Sequence, residues 1–539
     1  MSRRPERLLV LATGLAAALP VVISTVAALG ADWVAYGDRA IIALRAHDVL
    51  SAQSPLVGQY SSASLPGHPT YSPGPLLYWA LALPARAGSS ATAVAAGLVN
   101  ALSVMAAVWL AHRRRGRGFM FAVALALVVM CGSLPEEALH DVWNPYLALL
   151  PFTLLILLCW SLARGDHRLL PLTALVASFV VQAHLTLVLP GAALVAIGLV
   201  GLARTRRGPD ATREPMRRWS VAAAAVALVC WLPPILDQAI HRPGNAVELA
   251  RSSQDQGASA GLDTGWHAVA RTVGVPPWWA RSRLGVGDRL EDLLLAPGGF
   301  QQATAVLLLA TLAAAAAPAL RRRDADAAAA GAGAVAVCAA LGLVTALTPT
   351  RDALVNTLGY TVDWSAPAGM WLYLALGLAL AALLRWPARV PRVPAGVVPA
   401  AVAVTALVVA LPAGDDADAG RYRPIRAALR ALEPELGGAR TVRVEASPTP
   451  LGFDFHAAVV YELRRDGREP VSAALGDRLG GHHRPGGTRP ERAVFIRDES
   501  AGPAPPGRVA ARVSVSLPPV EEGDPPVERR IAVSVAGAP

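Results

Sequence analysis

The sequence contains no lysine, only four cysteines and little charge for its length. All 49 basic residues of the 539 are arginines, and charged residues make up 16% of the chain against 54% hydrophobic residues. A soluble protein of this size needs more charge to cover its surface. The cysteines fall in or at the ends of apolar segments and form no disulfide or zinc spacing. These absences argue against a soluble protein and against a disulfide or zinc framework.

The excess of arginine gives a net charge of +10, which invites a nucleic-acid interpretation. The arginines, however, lie in short clusters between apolar segments, and the Ala, Arg, Pro and Gly bias is typical of a GC-rich genome. We therefore expect no nucleic-acid partner. Several apolar runs of about 20 residues predict a multi-pass α-helical membrane protein instead.

The basic clusters orient the spans, because cytoplasmic loops carry the excess of arginine. The segment Met1–Arg7 precedes the first span and places the N-terminus inside. The further clusters are Arg113–Arg117, Arg204–Arg218, Arg321–Arg323 and Arg385–Arg392. All of them fall inside if spans run near 8–29, 89–111, 119–133, 144–163, 169–183, 185–203, 219–236, 301–319, 327–347, 366–384 and 393–412. The sequence thus predicts about eleven spans in a cell membrane, with the C-terminus outside.

The chain divides into two predicted domains. Residues 1–412 form the transmembrane domain, with external loops at 30–88, 134–143 and 237–300. In residues 413–539 the apolar runs shorten, and Thr441–Glu445 and Arg512–Leu517 alternate like strands. Helices are predicted at Arg426–Leu432 and Ala457–Arg464, and Pro/Gly-rich loops at 482–490 and 502–507. We expect a small extracytoplasmic α/β or α+β domain there.

The first external segment carries an acid, Asp38, just beyond the first span. A carboxylate beside lipid costs desolvation free energy, so it faces either water or a substrate. Residues 37–50 predict a helix on the membrane surface, with Ile41 and Ile42 on its apolar stripe. Asp38 and Arg45 share a face of that helix, two turns apart. A Pro-rich loop containing His68 and Tyr71 follows, and a helix near 74–86 that is too short to span.

Further polar and aromatic residues stand at the other external turns. His140 and Asp141 could hold a cation, bind a sugar hydroxyl or act as an acid/base pair, although capping and solvated charge explain them equally well. Trp278 predicts an interfacial anchor, with sugar stacking as the alternative. His184 lies where two spans turn outside, and a histidine there is more often structural than a ligand. The long segment 237–300 also contains Arg242.

These motifs resemble those of integral-membrane glycosyltransferases of the GT-C superfamily. Asp38-Arg39-Ala40 resembles the Asp-Glu-Ala signature of the family 39 branch, which includes protein mannosyltransferases and aminoarabinose transferases. The segment His68–Trp79 is similar to the proline-rich segment of the same loop, and Asp141–Tyr146 to the second acidic motif. The resemblance covers roughly residues 8–200. Two departures concern metal use and phosphate binding: Arg39 replaces the second acid, and the basic residue beside the proline pair is missing.

The resemblance implies transfer of a sugar from a polyprenyl-phosphate donor to a glycan, lipid or protein acceptor on the extracytoplasmic face. Asp38 would be the general base, with Asp141 as its partner. Arg45, Arg242 and Arg251 are candidates for the leaving phosphate. The full set of substrate-binding candidates is Arg45, His68, Tyr71, His140, His184, Arg242 and Trp278. A divalent cation is compatible with this chemistry, but no clear motif supports one.

Two other functions compete with this hypothesis. A lipid-linked saccharide transporter or flippase would carry ionisable residues near the middle of the spans. This chain keeps them at the outer ends. A non-catalytic scaffold of the cell envelope would tolerate replacement of Asp38. The sequence has no Gly-rich phosphate loop, nucleophile elbow or nucleotide-sugar motif, which agrees with a lipid-linked donor.

Overall fold

The chain folds into a helical part, residues 3–410, followed by a smaller mixed α/β part. The structure is a computed structural model, and it describes residues 3–65, 67–207, 216–254, 257–281, 286–321, 324–351, 358–384, 396–410, 419–486, 489–501, 506–517 and 527–537. The basic cluster Arg385–Arg392 lies outside the described residues, as do parts of the clusters Arg204–Arg218 and Arg321–Arg323 and of the predicted segments 393–412, 482–490 and 502–507.

The helices of the first part follow the apolar runs of the sequence. They begin with α1 (Arg3–Gly30), α2 (Gly37–Asp48), α3 (Leu76–Leu81), α4 (Pro84–Ala87), α5 (Ser89–Cys131), α6 (Asn144–Leu147), α7 (Leu149–Ala163), α8 (Leu170–Ala183), α9 (Val188–Arg207) and α10 (Arg217–Ile240). They continue with α11 (Asn245–Gln254), α12 (Gly261–Val273), α13 (Val286–Leu294), α14 (Gly299–Arg321), α15 (Ala325–Leu347), α16 (Leu358–Thr361), α17 (Ser365–Leu383) and α18 (Val397–Ala410).

Seven helices among the described residues are long and apolar enough to cross a membrane, or eight if the bent pair α13–α14 counts as one span. The multi-pass class predicted from the sequence is therefore confirmed. The number of eleven stays a prediction, because α8 and the described residues of α18 are shorter than a span requires. The second external segment is a short 3₁₀ turn at Glu136–Leu139. The third, at 237–300, is not a loop: it contains α11, α12 and α13.

Helix α5 corresponds to two predicted spans. It breaks at Gly116, whose φ of 75° and ψ of −161° lie outside the helical region. Glycine adopts a positive φ without a steric penalty, so the chain can turn here inside the basic cluster 113–117. After the break the chain runs back along the first arm, as shown by the Asn100 side chain, which donates to the carbonyl of Leu139 at 2.9 Å. The two predicted spans are thus arms of one helical hairpin.

Ion pairs gather the segments that were predicted to be cytoplasmic at one end of the bundle, which we call the arginine end. They join Arg113 to Asp166, Arg114 to Asp326, Arg115 to Asp324 and Arg164 to Asp326, at N–O distances of 2.7, 2.8, 2.8 and 2.9 Å. The external segments meet at the opposite end, the loop end, where Ser62 lies 3.5 Å from the hydroxyl of Tyr360. The predicted alternation of the spans across a membrane stays a prediction.

The second part contains a five-stranded mixed sheet. Its elements are α19 (Ala419–Leu436), β1 (Thr441–Ala446), α20 (Pro450–Arg465), β2 (Glu469–Val471), α21 (Gly476–Leu479), β3 (Arg492–Asp498), β4 (Arg508–Leu517) and β5 (Val527–Gly537). The strand order is β2-β1-β3-β5-β4. Strand β1 runs parallel to both neighbours, whereas β5 is antiparallel to β3 and β4. The predicted small α/β or α+β unit and its predicted strands and helices are confirmed.

Helix α2 packs inside the protein, which corrects the prediction that it lies on the membrane surface. Ile41, Ile42 and Leu44 are completely buried and belong to the same hydrophobic core as Phe455 and Val459 of α20. Burying each of these aliphatic side chains stabilises the fold by about 1.5–3 kcal/mol relative to exposure. The apolar stripe of α2 therefore holds the C-terminal unit against the loop end of the membrane part.

Candidate active site

Asp38 stands in the first turn of α2, and its side chain is 35% exposed. Its Oδ1 accepts hydrogen bonds from Arg478 at 3.2 Å and from Gln59 at 3.4 Å. Among the described residues, no group donates to Oδ2. One oxygen is therefore held in place while the other stays available to accept a proton from a bound molecule.

A short relay fixes the Gln59 side chain. The Tyr78 hydroxyl donates to Gln59 Oε1 at 3.0 Å, which turns the amide nitrogen toward Asp38. Complete burial raises the pKa of the Tyr78 phenol, so this donor keeps its proton at neutral pH. The relay joins α3 to α2 and orients the Asp38 carboxylate.

Arg478 reaches Asp38 from α21 of the C-terminal unit. Its guanidinium lies between two aromatic rings, 5.1 Å from the centroid of Tyr60 and 5.0 Å from that of Phe453. Stacking of this kind restricts an arginine side chain. Arg478 is therefore a fixed positive charge beside Asp38, supplied by a part of the chain 440 residues away.

The next residue, Arg39, points to the second acidic motif. Its guanidinium forms an ion pair with Asp141, whose side chain is completely buried. The guanidinium also lies 4.6 Å from the ring centroid of Tyr36. The other oxygen of Asp141 accepts the backbone N–H of Trp143 at 2.9 Å. The two motifs thus meet at an Arg39–Asp141 pair, and Asp141 is closed off from solvent.

Asp38 and Asp141 do not form a shared cation site. Each carboxylate is paired with a separate guanidinium, and only Asp38 is accessible to solvent. The predicted partners Asp38 and Asp141 therefore have different surroundings, one open to solvent and one closed. Arg39 replaces the second acid of the Asp-Glu-Ala signature. It neutralises the buried Asp141, so no second free carboxylate stands here as a ligand for a metal.

Aromatic rings gather beside Asp141. Trp143 packs edge-to-face against Tyr146 and Tyr360, with ring centroids 4.8 Å apart in both pairs. His184 lies 6.1 Å from Tyr360, and its Nδ1 is 2.7 Å from the hydroxyl of Thr186. His184 is thus near the second motif, as a member of this aromatic cluster.

A cavity of about 380 Å³ opens between α2, the first external segment, α11 and α21. Its lining includes Arg45, Tyr71, Asp237, Glu248 and Arg478. Arg45 is 13% exposed and donates to the carbonyl of Leu479 at 2.9 Å. Arg45 and Arg478 give this cavity two guanidinium groups, one of which also holds Asp38.

The predicted loop residues fasten the walls of this cavity. The Tyr71 hydroxyl donates to the carbonyl of Asp477 at 2.8 Å, and burial raises the pKa of its phenol. The backbone N–H of Tyr71 donates to Asn245 at 2.9 Å. His68 Nδ1 lies 3.2 Å from the Glu248 carboxylate, on the neighbouring helix α11. His68 and Tyr71 therefore join the first external segment to the third.

Three other candidates lie apart from this cavity or on its rim. His140 is buried, and its Nδ1 is 2.7 Å from the hydroxyl of Ser24 in α1. Trp278 is completely buried, and its indole N–H donates to Asp292 at 3.1 Å. Arg242 is exposed and stands between two residues that line the cavity, His241 and Pro243. His140 and Trp278 are packed in the interior of the protein, and Trp278 has no exposed ring face on which a sugar could stack.

Gly480 allows the close approach of α21 to Arg45. Its φ of 102° and ψ of 156° are accessible almost only to glycine, and an added Cβ would lie 2.4 Å from Arg45 Nη1. We expect Gly480→Ala to lower the free energy of unfolding by about 1–3 kcal/mol, measured by thermal unfolding in detergent. Gly481→Ala is the matched control, because its Cβ would meet nothing within 4 Å. Equal stability of both variants would contradict the assigned constraint.

The architecture is an apolar helical bundle whose loop end is covered by a small C-terminal unit, and a solved structure shares this fold. The chain is similar to the crystal structure of ArnT from Cupriavidus metallidurans bound to undecaprenyl phosphate, with a TM-score of 0.52 and 13% identity over 96% of this chain and 97% of that one. It is also similar to ArnT from the same organism in the apo state, with a TM-score of 0.48 and 12% identity over 95% and 97%. No protein-family model matches the sequence, and no curated protein matches it.

Several residues of the site could not be found from the sequence. Arg478, Gln59 and Tyr360 lie far from the acidic motifs along the chain or outside their pattern. Gln59 had a weak signal, because it lies in a polar external segment. Arg478 had no such signal in the sequence, because the stretch Gly476–Leu479 resembles any polar surface turn.

Proposed function

We propose that this protein transfers a sugar from a polyprenyl-phosphate donor to an acceptor hydroxyl on the extracytoplasmic face of the membrane, with Asp38 as general base. One observation carries the proposal: the accessible Asp38 carboxylate has one oxygen fixed by Arg478 and Gln59 and one oxygen without a donor among the described residues. The acceptor oxygen attacks the anomeric carbon while Asp38 takes its proton. The bond from that carbon to the phosphate oxygen breaks, and inversion is expected for a single displacement.

The leaving polyprenyl phosphate gains negative charge as this bond breaks. Arg45 and Arg478 line the cavity of about 380 Å³, which we call the donor cavity. Guanidinium groups suit bidentate contact with phosphate. Arg242 lies on the exposed rim and could meet the same group. Arg251 is less suited, because it lies 3.5 Å from Glu248, which offsets its charge.

Asp141 has a positioning role in this proposal. It is buried and paired with Arg39, so it cannot exchange a proton readily with a substrate. The pair fixes the start of α2, where Arg39 directly follows Asp38. His140, Tyr71 and His68 support the same arrangement by joining helices and loops, with His68 and Tyr71 also near the donor cavity.

A lipid-linked donor is supported by the likeness to ArnT, since that structure has undecaprenyl phosphate bound. The competing transporter hypothesis requires ionisable residues near the middle of the bundle. The buried pair Arg289–Asp363, with an N–O distance of 2.8 Å, does not fit that requirement. Arg289 also donates to the carbonyl of Ser133, directly after α5, which places the pair at the loop end.

Transfer can be measured with purified protein and a panel of radiolabelled polyprenyl-phosphate sugars, offered together with glycan, lipid and peptide acceptors. We expect label from at least one donor to appear in an acceptor when the protein is present. A boiled sample is the control for chemical hydrolysis. Translocation of the intact labelled lipid in vesicles, without transfer from any donor, would replace the enzyme hypothesis with the transporter.

A further inference from the structure

Three side chains meet where the last residue of α2 touches the C-terminal unit. Asp48 contributes a fully buried carboxylate, and the 3₁₀ turn Gly481–His483 contributes two imidazoles. His482 Nε2 lies 3.1 Å and His483 Nε2 3.6 Å from the same oxygen, Asp48 Oδ2. All three ligand atoms lie within 4.8 Å of one another. None of these residues belongs to the proposed catalytic group.

The spacing suits a small divalent cation. Zinc bound tetrahedrally at about 2.0–2.1 Å from nitrogen and oxygen keeps neighbouring ligand atoms about 3.3 Å apart. The two distances from Asp48 Oδ2, 3.1 and 3.6 Å, lie on either side of that value. Two imidazoles and one carboxylate are also a usual set of zinc ligands. A fourth position would remain for water.

The hydrogen bond on the far side of His483 adds a second argument. Its Nδ1 lies 2.9 Å from the carbonyl oxygen of Pro470, so in the neutral ring Nδ1 carries the proton and donates it. The Nε2 lone pair then faces the carboxylate of Asp48, which is unfavourable unless a metal cation or a second proton lies between them. A backbone carbonyl that fixes the tautomer of a histidine is a common outer partner in metal sites.

The remaining oxygen of Asp48 is held from the other side. Arg464 donates from Nε and Nη2 to Oδ1, both at 3.2 Å, and so directs Oδ2 toward the histidines. Arg45 Nη1 lies 4.0 Å from Oδ2. These two positive charges disfavour an additional cation. The affinity should therefore be lower than that of a zinc site with several anionic ligands.

We propose that Asp48, His482 and His483 form a binding site for a divalent transition-metal cation, with Zn²⁺ as the best match. The bound ion would join α2 to the segment 476–483. That segment also contains Leu479, which accepts the hydrogen bond of Arg45, and Arg478, which holds Asp38. The role is structural: the cation clamps the C-terminal unit onto the helix that carries Asp38.

The test measures metal content rather than transfer. Full-length protein in detergent is treated with a chelator, dialysed against Zn²⁺ or Co²⁺, and assayed for metal per chain and for Co²⁺ absorption in the visible range. We expect one equivalent in the wild type. Asp48→Asn and His482→Gln should lower the affinity for Zn²⁺ by more than about 100-fold. Loss of a residue that only hydrogen-bonds to a metal ligand already costs about 10–100-fold in metal affinity.

His112→Gln is the matched control, since this histidine pairs with Glu6 at the arginine end. It should keep the full equivalent. His482 is 26% exposed, so His482→Gln gives the answer even if Asp48→Asn fails to fold. No stoichiometric metal in the wild type, or unchanged metal in His482→Gln, would overturn the proposal and identify the cluster as a hydrogen-bonded histidine pair. Neither result depends on whether the protein transfers a sugar.

Discussion

Asp38→Asn should lower the rate of sugar transfer by about 10²–10⁴-fold, the usual contribution of a general base. The amide keeps the shape of the side chain but cannot accept the proton of the acceptor hydroxyl. The fold should survive, because the lost ion pair with Arg478 is partly exposed and such pairs contribute about 0–1 kcal/mol. Initial rates with the labelled donor found active in the panel, together with thermal unfolding in detergent, give both quantities.

Two further variants separate catalysis from structure. Asp32→Asn changes another acid of the same external segment, and it should keep the wild-type rate. Arg478→Gln removes the partner of Asp38 but leaves the carboxylate, so a smaller loss of rate is expected than for Asp38→Asn. An Asp38→Asn variant that kept the wild-type rate would contradict the role of Asp38 as a base.

Asp141→Asn should lower the free energy of unfolding by about 3 kcal/mol. Removing one partner of a buried ion pair costs about 3–5 kcal/mol. The lower end applies here because Arg39 keeps 16% of its exposure. Urea or thermal unfolding of the purified variant measures the change.

The control for this prediction is another aspartate in an ion pair. Asp166→Asn removes the partner of Arg113, whose side chain is 37% exposed at the arginine end. We expect a change of less than about 1 kcal/mol. A similar loss for both variants would show that Asp141 contributes no more than a partly exposed pair. A different result, an Asp141→Asn variant with wild-type stability but no transfer activity, would show that Asp141 takes part in the chemistry and does not position α2.

The sequence predicts well those features that depend on local pattern. The apolar runs predict the helices of the bundle, and residues 37–50 predict α2 nearly to its ends. The position of Asp38 beside a polar external segment also follows from hydropathy alone. The stripe formed by Ile41 and Ile42 was assigned to the wrong partner, because an apolar helix face has the same pattern against lipid as against α20.

Pairings between distant segments could not be predicted. Arg39 and Asp141 were each visible in a motif, but nothing in their spacing indicated that they neutralise each other. Asp48 and His482 gave no signal either, since one ends a helix and the other lies in a Gly-rich turn. Trp278 illustrates the opposite difficulty: a tryptophan pair beside prolines looks the same at a membrane interface, at a sugar site or in a core.

The contact between Arg478 and Asp38 has a consequence for the order of events during synthesis. The chain makes its membrane helices first and reaches Arg478 only after nearly nine-tenths of its 539 residues have been made. Until then, Asp38 lacks its guanidinium partner, and the donor cavity lacks the wall that α21 supplies. Under the proposed function, a growing chain that is already inserted in the bilayer has no complete site, so activity begins only when the last domain folds onto α2.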